Sequence, residues 1–238
     1  ADDAFFRPAG QKIQANLEML LGATVALKFE GARRMTAAEA QASAPENGAI
    51  VVGGLGNGAD GEALILLERP LALMLSCLLQ MLPEAAIKAR LGELATNDIS
   101  DPERESVGEI GNFMVAAVGE RLRDLGGASA KLTQAPTRYL SGTAATDAAT
   151  AIAAEGYLGV VGVMKAGAFD EYRVAVLLAD GLGRTVAPKA YDDPSASDDD
   201  GGSPAAADGS ADAGSAATAP ATGTPPAATA RNQTKATT

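Results

Sequence analysis

Glu105, Glu109 and Asn112 are the side chains through which this sequence could do chemistry. They lie in a segment, roughly residues 101–125, that reads as one long helix. Val107, Ile110, Met114, Val118, Leu122 and Leu125 recur in steps of three or four and form one buried stripe. Glu105, Glu109, Asn112 and Ala116 repeat that spacing on the opposite face, so the carboxylate of Glu109 and the carboxamide of Asn112 point the same way. Gly108 and Gly111 flank Glu109, and each costs roughly 1 kcal/mol of helix propensity relative to alanine. Two glycines beside an acid and an amide suggest a face that another backbone approaches closely. The plainer reading is the solvated side of an amphipathic helix.

Composition narrows the chemistry further. The chain has 238 residues and no histidine. That removes the usual general base, the Ser-His and Cys-His nucleophile systems, and histidine metal ligation. Cys77 is the single cysteine, so there is neither an internal disulfide nor a thiolate zinc site, and it reads as a small core residue. Any reaction must run on carboxylates, amides, hydroxyls or lysines, or borrow reactive parts from a partner. A net charge of −11 argues against nucleic acid as a partner. The longest apolar run, residues 71–82, is too short to span a bilayer and reads as a buried core helix. The expectation is a cytoplasmic protein without a membrane span.

The elements that must position the motif follow from periodicity. Residues 1–9 read as loose. Residues 10–21 carry Ile13, Leu17, Leu20 and Leu21 at helical spacing, with Gly22 as the stop. Residues 24–30 alternate and read as a strand, and 31–47 as a loop with one helical turn. Residues 48–54 and 62–68 read as two strands of a hairpin turned at Asn57-Gly58. The glycines of that turn lack the Lys-Ser/Thr of a phosphate-binding loop. Pro70 opens the apolar helix, Pro83 closes it, and a short polar helix runs to about residue 94. Asp101 is the expected N-cap of the motif helix, and Gly126-Gly127 its end. A strand near 129–135, a Thr/Ala-rich linker, and strands at 157–165 and 172–179, turned at Gly167 and Asp170, complete the core. The expected domain is 10–187. From 188 to 238 the composition collapses to small and acidic residues, with seven acids against Lys189, Arg231 and Lys235, which predicts a disordered tail. The order runs helix, strand, hairpin, helix, then helix, strand, hairpin, which suggests two similar halves. That is α+β, an antiparallel-rich sheet carrying the long helices.

The motif resembles the signature of the CheC/CheX family of chemotaxis phosphatases: an Asp or Ser, three residues, Glu, two residues, Asn, about twenty-two residues, then Pro. Glu109 and Asn112 match the Glu and Asn, and Pro136 follows one residue later than usual. Glu105 stands where the family has Asp or Ser. The element order from about residue 10 to 186 is also similar. The resemblance implies a pseudo-twofold CheC/CheX-like fold with two long helices side by side, related to the middle domain of the flagellar switch protein FliM. It implies a phosphorylated CheY-type response regulator as substrate, and it admits a homodimer. Magnesium would come from the regulator, with no cofactor of the protein's own. Asn112 would orient the attacking water. Glu109 would pair with the regulator's lysine and hold the helices in register. Asn16 on the first helix has Ile13 rather than Glu three residues earlier, so one site is expected, with Asn16 an ordinary surface residue. The competing reading is a non-catalytic CheY-binding or flagellar-switch-like scaffold.

Overall fold

A computed structural model describes residues 3–55, 61–126, 131–140 and 147–192. The chain divides into two units, Ala1–Asp199 and Asp200–Thr238; the second lies outside the described residues, as does the expected tail from residue 193 onward. The hairpin turn at Asn57-Gly58 lies outside them too.

In chain order the elements are α1 (Asp3–Leu21), β1 (Val25–Phe29), β2 (Arg33–Thr36), α2 (Ala37–Ser43), β3 (Gly48–Leu55), β4 (Glu62–Glu68), α3 (Arg69–Leu79), α4 (Glu84–Gly92), α5 (Asp101–Gly126), β5 (Leu132–Tyr139), α6 (Ala148–Ala151), β6 (Gly156–Ala166), β7 (Tyr172–Ala179), α7 (Asp180–Val186) and α8 (Lys189–Asp192). Among the described residues the strands form one antiparallel seven-stranded sheet in the order β1-β6-β7-β4-β3-β5, and β2 pairs with β6 beyond the end of β1. Exchanging α1 with α5, β1 with β5, β3 with β6, β4 with β7 and α3 with α7 maps this order onto itself. The β4–β7 pair, with Ile65 opposite Val176, marks the pseudo-twofold axis.

The strict period of two in the inner strands explains the layers. On β3 and β4, Ala49, Val51, Ala63, Ile65 and Leu67 face the core shared with α1, α3, α5 and α7. Ile50, Val52, Leu64 and Leu66 face the other way, toward Met35, Ala40, Ala151 and Ile152. Both faces are therefore covered, and the inner strands read as nearly continuous apolar runs. α1 and α5 pack side by side and antiparallel, tied by Lys12 to Glu120 at 2.7 Å, Asn16 to the Phe113 carbonyl at 3.3 Å, and Arg121 to the Ala4 carbonyl at 2.8 Å.

Several sequence expectations need correction. Residues 3–9 are helical rather than loose, and Phe5, Phe6 and Ala9 are buried. The segment 31–47 holds a strand and a two-turn helix, because Thr36 and Glu39 form a reciprocal capping box that starts α2. β5 runs on through Pro136 to Tyr139. It is the edge strand, and its register with β3 shifts between Ile50 and Val52, which opens a place for a residue without an N–H. The expected linker contributes α6 and the fully buried Ile152. The fold continues past residue 187. Tyr191 packs on the core with the guanidinium carbons of Arg34 and Arg184 each 4.7 Å from its ring centroid. Gly22 at φ 62° ends α1 as expected, and Cys77 is buried in α3, where burial pushes its thiol pKa up.

Candidate functional site

α5 begins under tight local control. Ser100, not Asp101, is its cap: the Ser100 carbonyl accepts from Arg104 N at 2.9 Å, and the Glu103 carboxylate accepts from Ser100 N at 2.6 Å. Glu103 is buried and also takes a bidentate pair from Arg90, at 2.7 and 2.8 Å. Burial alone would push the Glu103 carboxyl up; the Arg90 guanidinium and the Ser100 N–H outweigh it and hold the carboxyl below its usual range. Arg104, one residue on, bonds Asp98 at 3.1 Å and stacks on Tyr139, 4.5 Å from the ring centroid. The Tyr139 hydroxyl donates back to the Arg104 carbonyl at 3.0 Å. Burial pushes its pKa up to about 12, so it remains a donor at neutral pH.

Beyond this anchor the helix presents its two faces as the spacing predicts. Val107, Ile110, Met114, Val118 and Leu122 are buried, while Glu105, Glu109, Asn112 and Ala116 are exposed along the outer crest. Leu125 is the exception in the stripe, 44% exposed. Neither the Glu109 carboxylate nor the Asn112 carboxamide bonds to any described residue, so both are presented outward. Glu105 lines an open groove between α5 and β5 with Gly108, Gln134, Pro136, Thr137 and Tyr139. Glu105 and Pro136, distant in sequence, thus meet in one groove beside the crest.

The two glycines have separate explanations. A Cβ at Gly111 would lie 2.7 Å from Val51 Cγ1 and 2.9 Å from Gln134 Nε2, so Gly111 lets the helix press onto β3 and β5 from within the molecule. Nothing lies within 4 Å of a Cβ at Gly108, which opens onto the groove. Gly53, in the glycine run once comparable to a phosphate loop, serves the same packing: its Cβ would meet Val115 Cγ1 at 2.9 Å. Among the described residues no group of three or more acids or thiols could hold a metal, and no helix is long and apolar enough to cross a membrane.

No family model matches the chain, and no curated protein matches it in sequence. Its likeness is to solved structures. FliY from Thermotoga maritima superposes with a TM-score of 0.58 at 16% identity, over 79% of this chain and 91% of that one. The FliM middle domain from H. pylori gives a TM-score of 0.56 at 12% identity, over 78% and 94%. The chain has the FliM/FliY fold. The CheX–CheY–BeF3–Mg2+ complex from Borrelia burgdorferi also matches, with a TM-score of 0.46 at 12% identity, over 74% and 98%.

Within this FliM/FliY fold, α1 and α5 are the pseudo-symmetric pair, and the crest of α5 carries Glu109 and Asn112. Asn16, on α1, is half-buried and spends its carboxamide on the Phe113 carbonyl. It is an internal tie rather than an ordinary surface residue, and Ile13 beside it is fully buried. Sequence reasoning missed Gln134, whose Nε2 donates to the Gly108 carbonyl at 2.8 Å. Its signal was weak: one amide in a strand, among residues that alternate poorly.

Proposed function

We propose that this protein removes the phosphoryl group from the phosphoaspartate of a CheY-type response regulator. The observation that carries the reading is the outward presentation of Glu109 and Asn112, side by side on the rigid crest of α5. Phosphoryl transfer is governed by alignment and charge stabilisation, and a response regulator brings its own magnesium and lysine to the phosphoaspartate. An inserted carboxamide is then a sufficient addition. Asn112 holds a water in line with phosphorus; the water oxygen bonds to phosphorus as the bond to the aspartyl oxygen breaks. Inorganic phosphate leaves and the aspartate carboxylate is restored. Glu109 docks the regulator through its lysine. The reading needs no histidine and no metal of the protein's own.

The fold shared with the FliM middle domain also accommodates a second reading, a scaffold that binds phosphorylated regulator and leaves the phosphate in place. A time course separates the two, at about one part protein to twenty parts phosphorylated regulator. An enzyme clears the whole pool. Decay no faster than autodephosphorylation, with binding confirmed by calorimetric titration, establishes the scaffold instead.

A further inference from the structure

Two carboxamides from different elements grip α5 on either side of the Glu109–Asn112 window. Gln134 of β5 donates to the Gly108 carbonyl at 2.8 Å, and Asn16 of α1 donates to the Phe113 carbonyl at 3.3 Å. Both carbonyls already lie within the helix, where Gly108 O is the acceptor for the Asn112 N–H and Phe113 O for that of Ala117. The extra bonds therefore complete no helical turn. They fix the helix against its surroundings.

Their placement around the axis decides what they fix. At about 100° per residue, carbonyls five positions apart lie about 140° apart around the helix. Starting at Gly108, Asn112 lies about 40° around that arc and Glu109 about 100°, so both fall between the two gripped carbonyls. Gln134 holds the flank nearer Asn112, and Asn16 the flank nearer Glu109. Gly111 makes the first grip feasible, because a Cβ there would sit 2.9 Å from Gln134 Nε2. Val51 closes the same side from β3.

We infer that Gln134 and Asn16 are positioning residues that set the rotation of α5 about its own axis, Gln134 aiming Asn112 and Asn16 aiming Glu109. A half-buried amide unpaired between helix and sheet is unfavourable, so each grip has one low-energy arrangement, and two grips from opposite flanks leave little freedom to roll. In its catalytic part the inference rests on the phosphatase reading above. Its geometric part stands without it.

The test uses Gln134→Met, which keeps length and removes the donor, and Asn16→Leu. In the full-length 15N-labelled protein, backbone residual dipolar couplings along α5 vary periodically, and their phase reports the helix rotation. The two variants should displace that phase in opposite senses. With phosphorylated regulator, Gln134→Met should lower kcat about tenfold with KM near wild type, since small misplacements of a positioning group are costly. Asn16→Leu should raise KM several-fold with kcat near wild type. Unchanged phases in both variants, or kcat and KM changing together in step with a lower Tm, overturn the inference. Asn16→Leu acts from a different element, so the question stays decidable if Gln134→Met does not fold. A wild type that releases no phosphate removes the phosphatase reading while the phases still decide the grip.

Discussion

Arg121 supplies from α5 the hydrogen bond that Pro8 cannot supply within α1. Its Nη2 lies 2.8 Å from the carbonyl oxygen of Ala4, the acceptor that residue 8 would serve in an unbroken helix. A proline inside a helix usually ends or kinks it, yet α1 runs from Asp3 to Leu21. Arg121→Met should therefore cost about 0.5–1.5 kcal/mol, the net contribution of a hydrogen bond whose exposed acceptor can turn to water instead. Much of that cost should vanish in a Pro8→Ala background, where residue 8 regains its N–H. Urea unfolding of the four members of the cycle checks this. Additive effects would mean that Arg121 stabilises only through packing or its contact with Asp124.

Asn112→Ala should lower phosphate release from phosphorylated regulator at least about tenfold, equivalent to about 1.4 kcal/mol in the barrier. The side chain is exposed and unbonded among the described residues, so stability should move by less than about 1 kcal/mol. Glu109→Gln should instead raise KM, and wild-type affinity should fall with added salt. Stopped-flow decay of the phosphorylated pool gives both constants. Wild-type turnover by the alanine variant would remove Asn112 from the mechanism.

Acid should weaken the start of α5 in a defined window. The Glu103 carboxyl is held below its usual range, so its contribution is fully present above its unfolded pKa and is lost as pH falls through the lower folded value. Glu103→Gln should cost on the order of 3 kcal/mol at neutral pH, because it leaves the Arg90 guanidinium without its buried partner. The gap between variant and wild type should narrow below the ordinary carboxylate range. Thermal unfolding measured from neutral pH downward reads it directly, and a gap constant with pH would assign the cost to packing.

Cutting the chain after Asp192 should leave Tm unchanged, whereas cutting after Ala187 removes Tyr191. That ring rests against Arg34 and Arg184, and a Cβ on Gly183 would collide with its hydroxyl. Losing it should cost about 1–3 kcal/mol. Calorimetry on the two truncations distinguishes a fold ending near residue 187 from one ending beyond Tyr191.

What could be read in advance had local causes. The strands β3, β4, β6 and β7 announce themselves as apolar runs, and the crest of α5 follows from steps of three and four. The failures had distant causes. The start of α1 read as loose, and the bond that Pro8 forgoes there is supplied by Arg121, far along the chain. β5 looked finished before Pro136, and only its place at the sheet edge admits a proline. The segment holding β2 and α2 buries little beyond Met35 and Ala40, too few apolar residues to show a period. At the site, Glu109 and Asn112 were legible as a pair. Gln134 and Asn16 were not, since an amide that bonds a main-chain carbonyl leaves no mark in spacing.

The pseudo-twofold sheet has a consequence for how the chain can be divided. β1 completes the edge of the hairpin β6–β7, and β5 completes that of β3–β4, so each half lends its first strand to the other. Neither half owns a finished sheet. Two peptides split between Leu94 and Ser100 would leave β1, β2 and β5 without partners and both edges of each inner strand pair bare, and would become ordered only by finding one another. The repeat is a mutual loan, and an ancestor of half this length could have kept the same arrangement only as a pair of copies exchanging strands.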